Sequence, residues 1–309
     1  ETLLPNTRCQ ILDAGSTDAA MLSRRTVLKG TIAAAIGSRW MRLQPAMANV
    51  DSGWPYFSYF DHNANPQTGL SLSYFGSADS AEQTGSVTYD MALRAIGGNA
   101  THADNIILTY AGNNALALEE NDPQTIEQTY QPGFGVLNSI RILEFTGEWW
   151  NSWDWSVHAG PNAWIGIAAL QRYFQNPNES FLRFAKERAD FLIQLQDEDG
   201  GIRFGPVGQW HKSGDFWFYW NLKSTEHNES VLHFFDMLYQ ATGDVLYKQA
   251  ADDIYRWLKT MYDPEQHVFY RGASFRNGVW EKDSHDAFAT DTTSWAPFDR
   301  IVNDVQDSV

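Results

Sequence analysis

The chain repeats itself at an interval of 66 residues, and this repeat restricts its possible folds more than any other feature. Apolar residues recur at helical spacing within each unit, which predicts a helix, a tight turn, a second helix and a loop with short extended pieces. Such a unit cannot bury its apolar face alone, so successive units must stack. The sequence therefore predicts an all-α array of helical hairpins. Three pairs of identical residues share the interval: Asn162 with Asn228, Tyr173 with Tyr239, and Leu192 with Leu258.

Tight turns divide the two best-defined hairpins. In the first of them, helices are predicted over residues 160–173 and 179–196, separated by Asn176-Pro177-Asn178. The next hairpin begins near Asn228 and has Thr242-Gly243-Asp244 at its turn. Both halves of the repeat thus carry turn-forming residues at corresponding places, as an array of hairpins requires.

Two further units match the repeat less fully. An earlier unit is predicted to have helices over residues 91–96 and 101–118, with Thr88 as the cap of the first. A fourth unit begins near Asp291, and the chain stops at Val309 before a second helix. We therefore expect a C-terminally truncated array of about three to three and a half hairpins.

The first 48 residues have the composition of an export signal. Paired Arg24 and Arg25 precede a short apolar stretch over residues 30–37, and Ala46-Met47-Ala48 fits a cleavage site for signal peptidase. The paired arginines resemble a bacterial twin-arginine signal. We therefore predict an upstream extension at residues 1–20, a signal peptide at 21–48, and a partial catalytic domain at 49–309. The mature protein is expected in the periplasm or outside the cell, without a membrane span, because the apolar stretch is too short.

The charge of the chain excludes several classes of partner. The net charge is −16, and residues 49–309 alone carry 16 basic and 35 acidic residues, a net of −19. Such a surface repels phosphate backbones and anionic lipids, so we expect neither nucleic-acid nor membrane binding. The only cysteine, Cys9, lies in the predicted leader, which excludes disulfides, cysteine zinc sites and cysteine nucleophiles from the mature chain.

Five short motifs stand at the helix starts and turns of these units. They are Tyr89-Asp90-x-Ala-Leu, Gly160-Pro161-Asn162-Ala163-Trp164, Gln196-Asp197-x-Asp199-Gly200-Gly201, Ser224-Thr225-Glu226-His227-Asn228 and Thr242-Gly243-Asp244. Together they resemble the bacterial six-hairpin glycosidase superfamily, over about residues 51–300. The resemblance implies an (α/α)6 toroid, a ring of hairpins in which the loops at the starts of the inner helices line a sugar-binding cleft. It also implies a carbohydrate substrate and no cofactor, and we expect a monomer.

Hydrolysis of a glycosidic bond uses two carboxyl groups, one that protonates the leaving oxygen and one that activates water or attacks carbon. Acidic residues lie near the start of the first helix in three units, at Asp90, Glu226 and Asp291. In a toroid these helix starts converge on one face, so the three are predicted catalytic residues, with Glu226 as the general acid. The alternative is that each is a first-turn carboxylate that favours the helix dipole, with Ser224 or Thr225 as the cap before Glu226.

Further residues are predicted to bind the substrate. Asp154 lies in a tryptophan-rich loop and could act as a base or bind a hydroxyl group. Tryptophans suit sugar binding because a pyranose presents apolar C–H faces to an aromatic ring, although many tryptophans serve only packing. The predicted sugar platforms are Trp153, Trp164, Trp210 and Trp295, and the predicted polar contacts are Asn162, His227 and Asn228.

No metal site is expected. His158, His211 and His227 lack the H-E-x-x-H spacing of a zinc site. The sequence Asp197-x-Asp199-Gly200 resembles the start of a calcium loop, but Gly208 stands where the twelfth residue of such a loop would be a glutamate. A plain turn is the favoured interpretation.

Two other functions remain open at this point. The segment Gln196-Asp197-x-Asp199-Gly200-Gly201 resembles the Q-x-x-D-G-G turn of terpenoid-cyclase and prenyltransferase-like toroids, although the chain has no D-x-D-D motif. A non-catalytic glycan-binding protein that uses its tryptophan surface is the second alternative. A Glu226→Gln variant that keeps binding and loses activity would favour an enzyme over a binding protein.

Overall fold

The computed structural model describes residues 64–73, 85–112, 135–141, 156–209, 211, 213–284, 289 and 292. Within these ranges six helices form three hairpins, as the repeat predicts. None of the helices in this part of the chain combines the length and apolar character needed to cross a bilayer. The hairpins are α1 (Thr88–Gly97) with α2 (Ala100–Gly112), α3 (Ala159–Gln175) with α4 (Glu179–Gln194), and α5 (Thr225–Thr242) with α6 (Val245–Thr260).

The first helix of each hairpin belongs to an inner layer. Helix α3 packs against both α1 and α5, whereas α4 and α6 pack chiefly on their own hairpins and α2 packs on α1, α3 and α4. The inner helices approach closely at Gly166, where an added Cβ would lie 2.5 Å from the ring of Phe234. Buried aromatic residues of both layers, including Phe181 and Phe235, fill the space between them. This arrangement of helical hairpins confirms the predicted fold class.

Short strands in the loops form three small antiparallel sheets. The strand before α1 pairs with a strand in the loop after its hairpin, and the strand before α5 does the same. Each of these two pairings therefore fixes a loop beside the start of an inner helix. The strands are β1 (Gly85–Val87) paired with β2 (Ser139–Arg141), β3 (Leu222–Ser224) paired with β6 (Gly272–Arg276), β6 paired with β7 (Val279–Lys282), and β4 (Tyr262–Asp263) paired with β5 (Val268–Phe269).

The first residue of every inner helix makes the same backbone hydrogen bond to the loop that follows its hairpin. The amide of Thr88 donates to the carbonyl of Asn138 at 2.8 Å, that of Ala159 to Phe204 at 2.9 Å, and that of Thr225 to Arg271 at 2.9 Å. These contacts satisfy one of the amides that a helix leaves unpaired at its start. They also define corresponding positions in all three hairpins.

Two buried asparagines hold the loops to the next inner helix. Asn162 accepts the amide of Val136 at 2.7 Å and donates to the carbonyls of Val136 and His158 at 3.0 and 2.8 Å. Asn228 makes the same three bonds, accepting from Ile202 at 2.6 Å and donating to Ile202 and Ser224 at 3.0 and 2.8 Å. The repeat of 66 residues therefore extends to individual hydrogen bonds.

The helix ends follow local capping rules, with one correction to the sequence prediction. Asn178 and Asp244 cap α4 and α6 through their side chains, and α5 is capped by Ser224. Thr88 was expected as a cap, but it is the first helical residue, and its hydroxyl donates to the carbonyl of Leu137 at 2.5 Å. Thr225 likewise donates its hydroxyl to the carbonyl of Tyr270 at 2.6 Å. Both threonines therefore attach a helix start to a loop.

Candidate functional site

The starts of the inner helices bring together a phenol and a carboxylate. Tyr89, Gly160 and Glu226 are the second residues of α1, α3 and α5, and Tyr89 and Glu226 are both partly exposed. The hydroxyl of Tyr89 donates a hydrogen bond to Oε1 of Glu226 at 2.6 Å. This distance is that of a short O–H···O hydrogen bond. A predicted catalytic carboxylate thus lies at the face where the helix starts converge.

Asp90 does not occupy the position that corresponds to Glu226. It is the third residue of α1, the position of His227 in α5, whereas Tyr89 corresponds to Glu226. One residue along a helix rotates the side chain by about 100° around the axis. The expected equivalence of Asp90 and Glu226 is therefore wrong by one residue. Asp90 remains partly exposed in the first turn of its helix, and its catalytic role stays a prediction.

Trp164 packs against Tyr89 and is linked to Glu226 through Ser230. Its ring centroid lies 5.8 Å from that of Tyr89, and its indole N–H donates to Oγ of Ser230 at 3.0 Å. Ser230 in turn donates to the backbone carbonyl of Glu226 at 3.0 Å. Trp164 is only 5% exposed. Its predicted role as a sugar platform is not supported, because a stacking platform needs an open ring face; the contacts give it a packing role instead.

Asn162 and Asn228 were predicted to contact the substrate, but their side chains have structural roles. Both side chains are fully buried. In each residue, both side-chain N–H groups and the carbonyl oxygen form hydrogen bonds with backbone groups of the adjoining loop and helix, as described above. No amide group of either residue is left to face a sugar.

A buried aromatic cluster adjoins the pair. The ring of His227 lies 4.3 Å from that of Phe204 and 6.4 Å from that of His158, measured between centroids. His158 also contacts Phe204 and Tyr219, at 4.6 and 4.5 Å. His227 is 6% exposed, and a direct contact between its ring and a sugar stays a prediction.

His158 contacts polar side chains through both ring nitrogens. The side-chain amide of Asn138 lies 2.7 Å from Nδ1. Oγ of Ser156 lies 2.8 Å from Nε2. Burial lowers the pKa of His158 well below its ordinary value, and the neighbouring charge of His227 lowers it further.

A glycine makes room for this cluster. A Cβ added at Gly160 would lie 2.4 Å from Cδ2 of His227 and 2.7 Å from its Nε2. Any side chain at this position would therefore displace His227 from beside Glu226. The glycine at the start of the motif is explained by this close approach.

The acidic turn after α4 binds the ammonium group of a lysine. Nζ of Lys223 lies 2.5 Å from Asp199 and 3.0 Å from Asp197, and its side chain is fully buried. Arg203 and the indole of Trp280 also contact Asp197, at 3.0 and 2.8 Å. Burial raises the pKa of Asp197, but the bond and charge of Lys223 outweigh it, and the pKa falls to about 2. Across the described ranges, no group of three potential metal-binding side chains lies together.

Five predicted site residues lie outside the described part of the chain. They are the possible catalytic or hydroxyl-binding carboxylates Asp154 and Asp291 and the predicted sugar platforms Trp153, Trp210 and Trp295. Their roles stay predictions.

A comparison of acidic residues alone does not identify Tyr89. The residue belongs to the motif Tyr89-Asp90-x-Ala-Leu, in which only Asp90 is acidic. The signal that would have found Tyr89 is the position of the threonine before it. Thr88 and Thr225 both begin an inner helix, so the residues that follow them, Tyr89 and Glu226, correspond.

No protein-family model and no curated protein matches the sequence, but solved structures match the fold. D-mannose isomerase is 15% identical, with a TM-score of 0.53, over 91% of this chain and 69% of that one. The glycoside hydrolase family 76 mannosidase Bt3792 from Bacteroides thetaiotaomicron VPI-5482 is 14% identical, with a TM-score of 0.51, over 85% and 69%. The GH76A alpha-1,6-mannanase from Salegentibacter sp. HEL1_6 is 19% identical, with a TM-score of 0.39, over 48% and 42%.

The comparisons with the isomerase and the mannosidase establish the type of fold. The chain spans 69% of the isomerase and the mannosidase and 42% of the mannanase. It shares the helical-hairpin architecture of (α/α)6 toroids and has a distant structural similarity to glycoside hydrolases. Because one fold hosts both a hydrolase and an isomerase, the reaction must be argued from the site.

Proposed function

We propose that the protein hydrolyses glycosidic bonds of an oligosaccharide or polysaccharide by carboxylate acid–base catalysis. The observation that carries this proposal is the position of Glu226. Its carboxyl group lies in the first turn of an inner helix, is partly exposed, and is bound through Oε1 by the hydroxyl of Tyr89. A carboxylate held at the convergence of helix starts is the group that glycoside hydrolysis requires.

Glu226 is proposed as the general acid that protonates the leaving oxygen. A second carboxyl group must then activate water or attack the anomeric carbon. Asp90 is the candidate for this role in the described part of the chain, with Asp154 and Asp291 as candidates elsewhere in the sequence. Neutral glycans suit the site best, because the net charge of −16 disfavours acidic ones.

The proposal is tested by a glycan screen of wild type and a Glu226→Gln variant. The glutamine is nearly the same size and retains a carbonyl oxygen for the Tyr89 hydroxyl, but it cannot transfer a proton. We expect wild type to release reducing ends from at least one glycan. The variant is expected to bind that glycan with similar affinity and to lose at least about 100-fold in kcat.

A matched control removes a carboxyl group elsewhere on the same helix. Asp236 lies in the middle of α5 and is partly exposed, so Asp236→Asn changes the charge of the helix without altering its start. Full activity in Asp236→Asn together with loss in Glu226→Gln supports the assignment. Equal activity in the two variants would remove Glu226 from the mechanism, and a ketose product would indicate isomerisation instead.

We also propose that the mature protein acts in the periplasm or outside the cell, after export by the twin-arginine pathway. The support is the order of paired arginines, apolar stretch and cleavage site in residues 21–48. Replacement of Arg24 and Arg25 by lysine is expected to keep the precursor inside the cell. An unchanged amount of exported protein would contradict this route.

A further inference from the structure

We infer that Tyr89 is a positioning residue for Glu226, and that it acts by fixing the orientation of the Glu226 carboxyl group towards the substrate. The inference rests on the proposed function, since it assigns a second residue to the same site. Its basis is the 2.6 Å hydrogen bond from the Tyr89 hydroxyl to Oε1 of Glu226, together with the support that each partner receives from the fold.

The pair joins two helices that are not neighbours in the inner layer. Tyr89 belongs to α1 and Glu226 to α5, and α3 packs between these helices. At the corresponding position α3 has Gly160, which contributes no side chain. The phenol is long enough to reach from α1 to Glu226 on α5. The hydrogen bond therefore couples the orientation of the Glu226 carboxyl group to a helix in another hairpin.

The tyrosine is itself held firmly. Its ring packs on Trp164, which is fixed through Ser230, and Ser230 is bound to the backbone of Glu226. The ring, the indole, the serine and the carboxylate therefore form a closed set of contacts. A hydroxyl held in this way restricts the rotamers of the carboxyl group that it binds.

Fixed orientation matters for the proposed chemistry. A general acid must lie within hydrogen-bonding distance of the leaving oxygen, and one of its two oxygens must face that atom. With Oε1 bound by Tyr89, the remaining oxygen has a defined direction. A misplacement of about 1 Å can lower the rate about 100-fold without changing how tightly the substrate is held.

Tyr89→Phe tests this role because it removes the hydroxyl and keeps the ring on Trp164. Tyr110→Phe is the matched control, since the Tyr110 hydroxyl donates to Oγ1 of Thr88 at 3.0 Å, one residue before Tyr89. Both changes delete a phenol bond near the start of α1. We expect Tyr89→Phe to lower kcat about 10- to 100-fold with KM within about threefold of wild type. Tyr110→Phe is expected to keep both constants within about twofold.

A double-mutant cycle separates this inference from the proposed function. The unfolding free energies of Tyr89→Phe, Glu226→Ala and the double variant are measured without substrate. We expect the effects to be non-additive, because either single change breaks the same bond. Additive effects would overturn the inference whether or not the protein cleaves a glycan. Kinetics of Tyr89→Phe equal to those of Tyr110→Phe, beside an inactive Glu226→Gln, would overturn it and leave the proposed function standing.

Discussion

At the scale of single residues, His158 occupies a position that disfavours a charged imidazole. Its two ring nitrogens contact Asn138 and Ser156 at 2.7 and 2.8 Å. Burial, beside Phe204 and Tyr219, and the charge of His227 hold the pKa of His158 well below its ordinary value. Protonation must therefore oppose folding.

We predict that the protein loses stability as the pH falls below about 6.5, the pKa of an unperturbed histidine. Below that value the unfolded chain binds a proton that folded His158 does not, so the free energy of unfolding decreases with falling pH. The slope from this residue is at most about 1.4 kcal/mol per pH unit. Urea unfolding between pH 7.5 and 5 measures it.

Two variants identify the source of this slope. His158→Asn removes the imidazole and should show a flatter dependence than wild type. His267→Asn changes an exposed histidine at φ 56°, a conformation that asparagine tolerates, and should keep the wild-type slope. Equal slopes in the His158 variant and wild type would contradict the assignment.

Lys223 is a second residue whose burial and ion pairs affect the stability of the protein. Its buried ammonium group bridges Asp197 and Asp199 and lies 4.1 Å from the ring centroid of Trp280. Trp280 belongs to β7 and also donates to Asp197. The lysine therefore fastens the last sheet of the described chain to the turn after α4.

We predict that Lys223→Met destabilises the protein by about 3–5 kcal/mol, because it leaves two acidic side chains without their buried cation. Lys248→Met is the control, since the Lys248–Asp252 pair on α6 is partly exposed and contributes at most about 1 kcal/mol. Chemical unfolding at pH 7 compares the two. Equal losses of unfolding free energy in both variants would show that the buried Lys223 contributes no more to stability than the partly exposed Lys248.

At the scale of elements, the loops are held by a repeated pattern of bonds to two successive inner helices. The loop after α2 is bound by the first residue of α1 and by Asn162 of α3. The loop after α4 is bound in the same way by the first residue of α3 and by Asn228 of α5. This pattern explains how loops can form a defined rim around the helix starts.

We predict that Asn162→Ala and Asn228→Ala each lower the unfolding free energy by about 3 kcal/mol. Each change leaves a buried backbone N–H and carbonyl group without their partner, and each such group costs about 1–3 kcal/mol. Asn178→Ala, which removes an ordinary helix cap, should cost about 1 kcal/mol. Equal losses in all three variants would contradict the structural role of the two loop-binding asparagines.

The hairpins could be predicted from the sequence because the repeat aligns corresponding residues of successive hairpins. Asn162 and Asn228 are identical and lie four residues into their helices, so the second and third hairpins aligned correctly. The first hairpin has the apolar Met91 at this position, and Ala159 follows Thr88 by 71 residues rather than 66. Because α1 lacks the asparagine, an alignment based on acidic residues is displaced by one position. Such an alignment pairs Asp90 with Glu226.

The roles of polar residues were harder to predict than the elements. The asparagines were assigned to substrate because an amide near a cleft can bind a hydroxyl group. Their actual partners, Val136 and Ile202, each precede them by 26 residues, so the contact depends on how a loop returns to the helix. Periodicity defines a helix face, but it does not define which loop meets that face.

At the scale of the whole molecule, the fold brings the ends of three helices from separate hairpins to one face. Such a face suits sugar chemistry because it can present groups from several elements to one ligand. The same architecture occurs in D-mannose isomerase and in the mannosidase Bt3792, so the arrangement of hairpins does not decide the reaction. The proposed function requires that the carboxylate at this face transfers a proton to a glycosidic oxygen.

The most direct measurement is the incorporation of oxygen from water during a reaction in H2¹⁸O. Wild type is incubated with the glycan selected in the screen, beside Glu226→Gln, and the products are analysed by mass spectrometry immediately. Hydrolysis places one ¹⁸O atom at the new reducing end, and we predict this label in wild type and at least about 100-fold less of it in the variant. A product of unchanged chain length, or equal labelling by both proteins, would contradict the proposed mechanism.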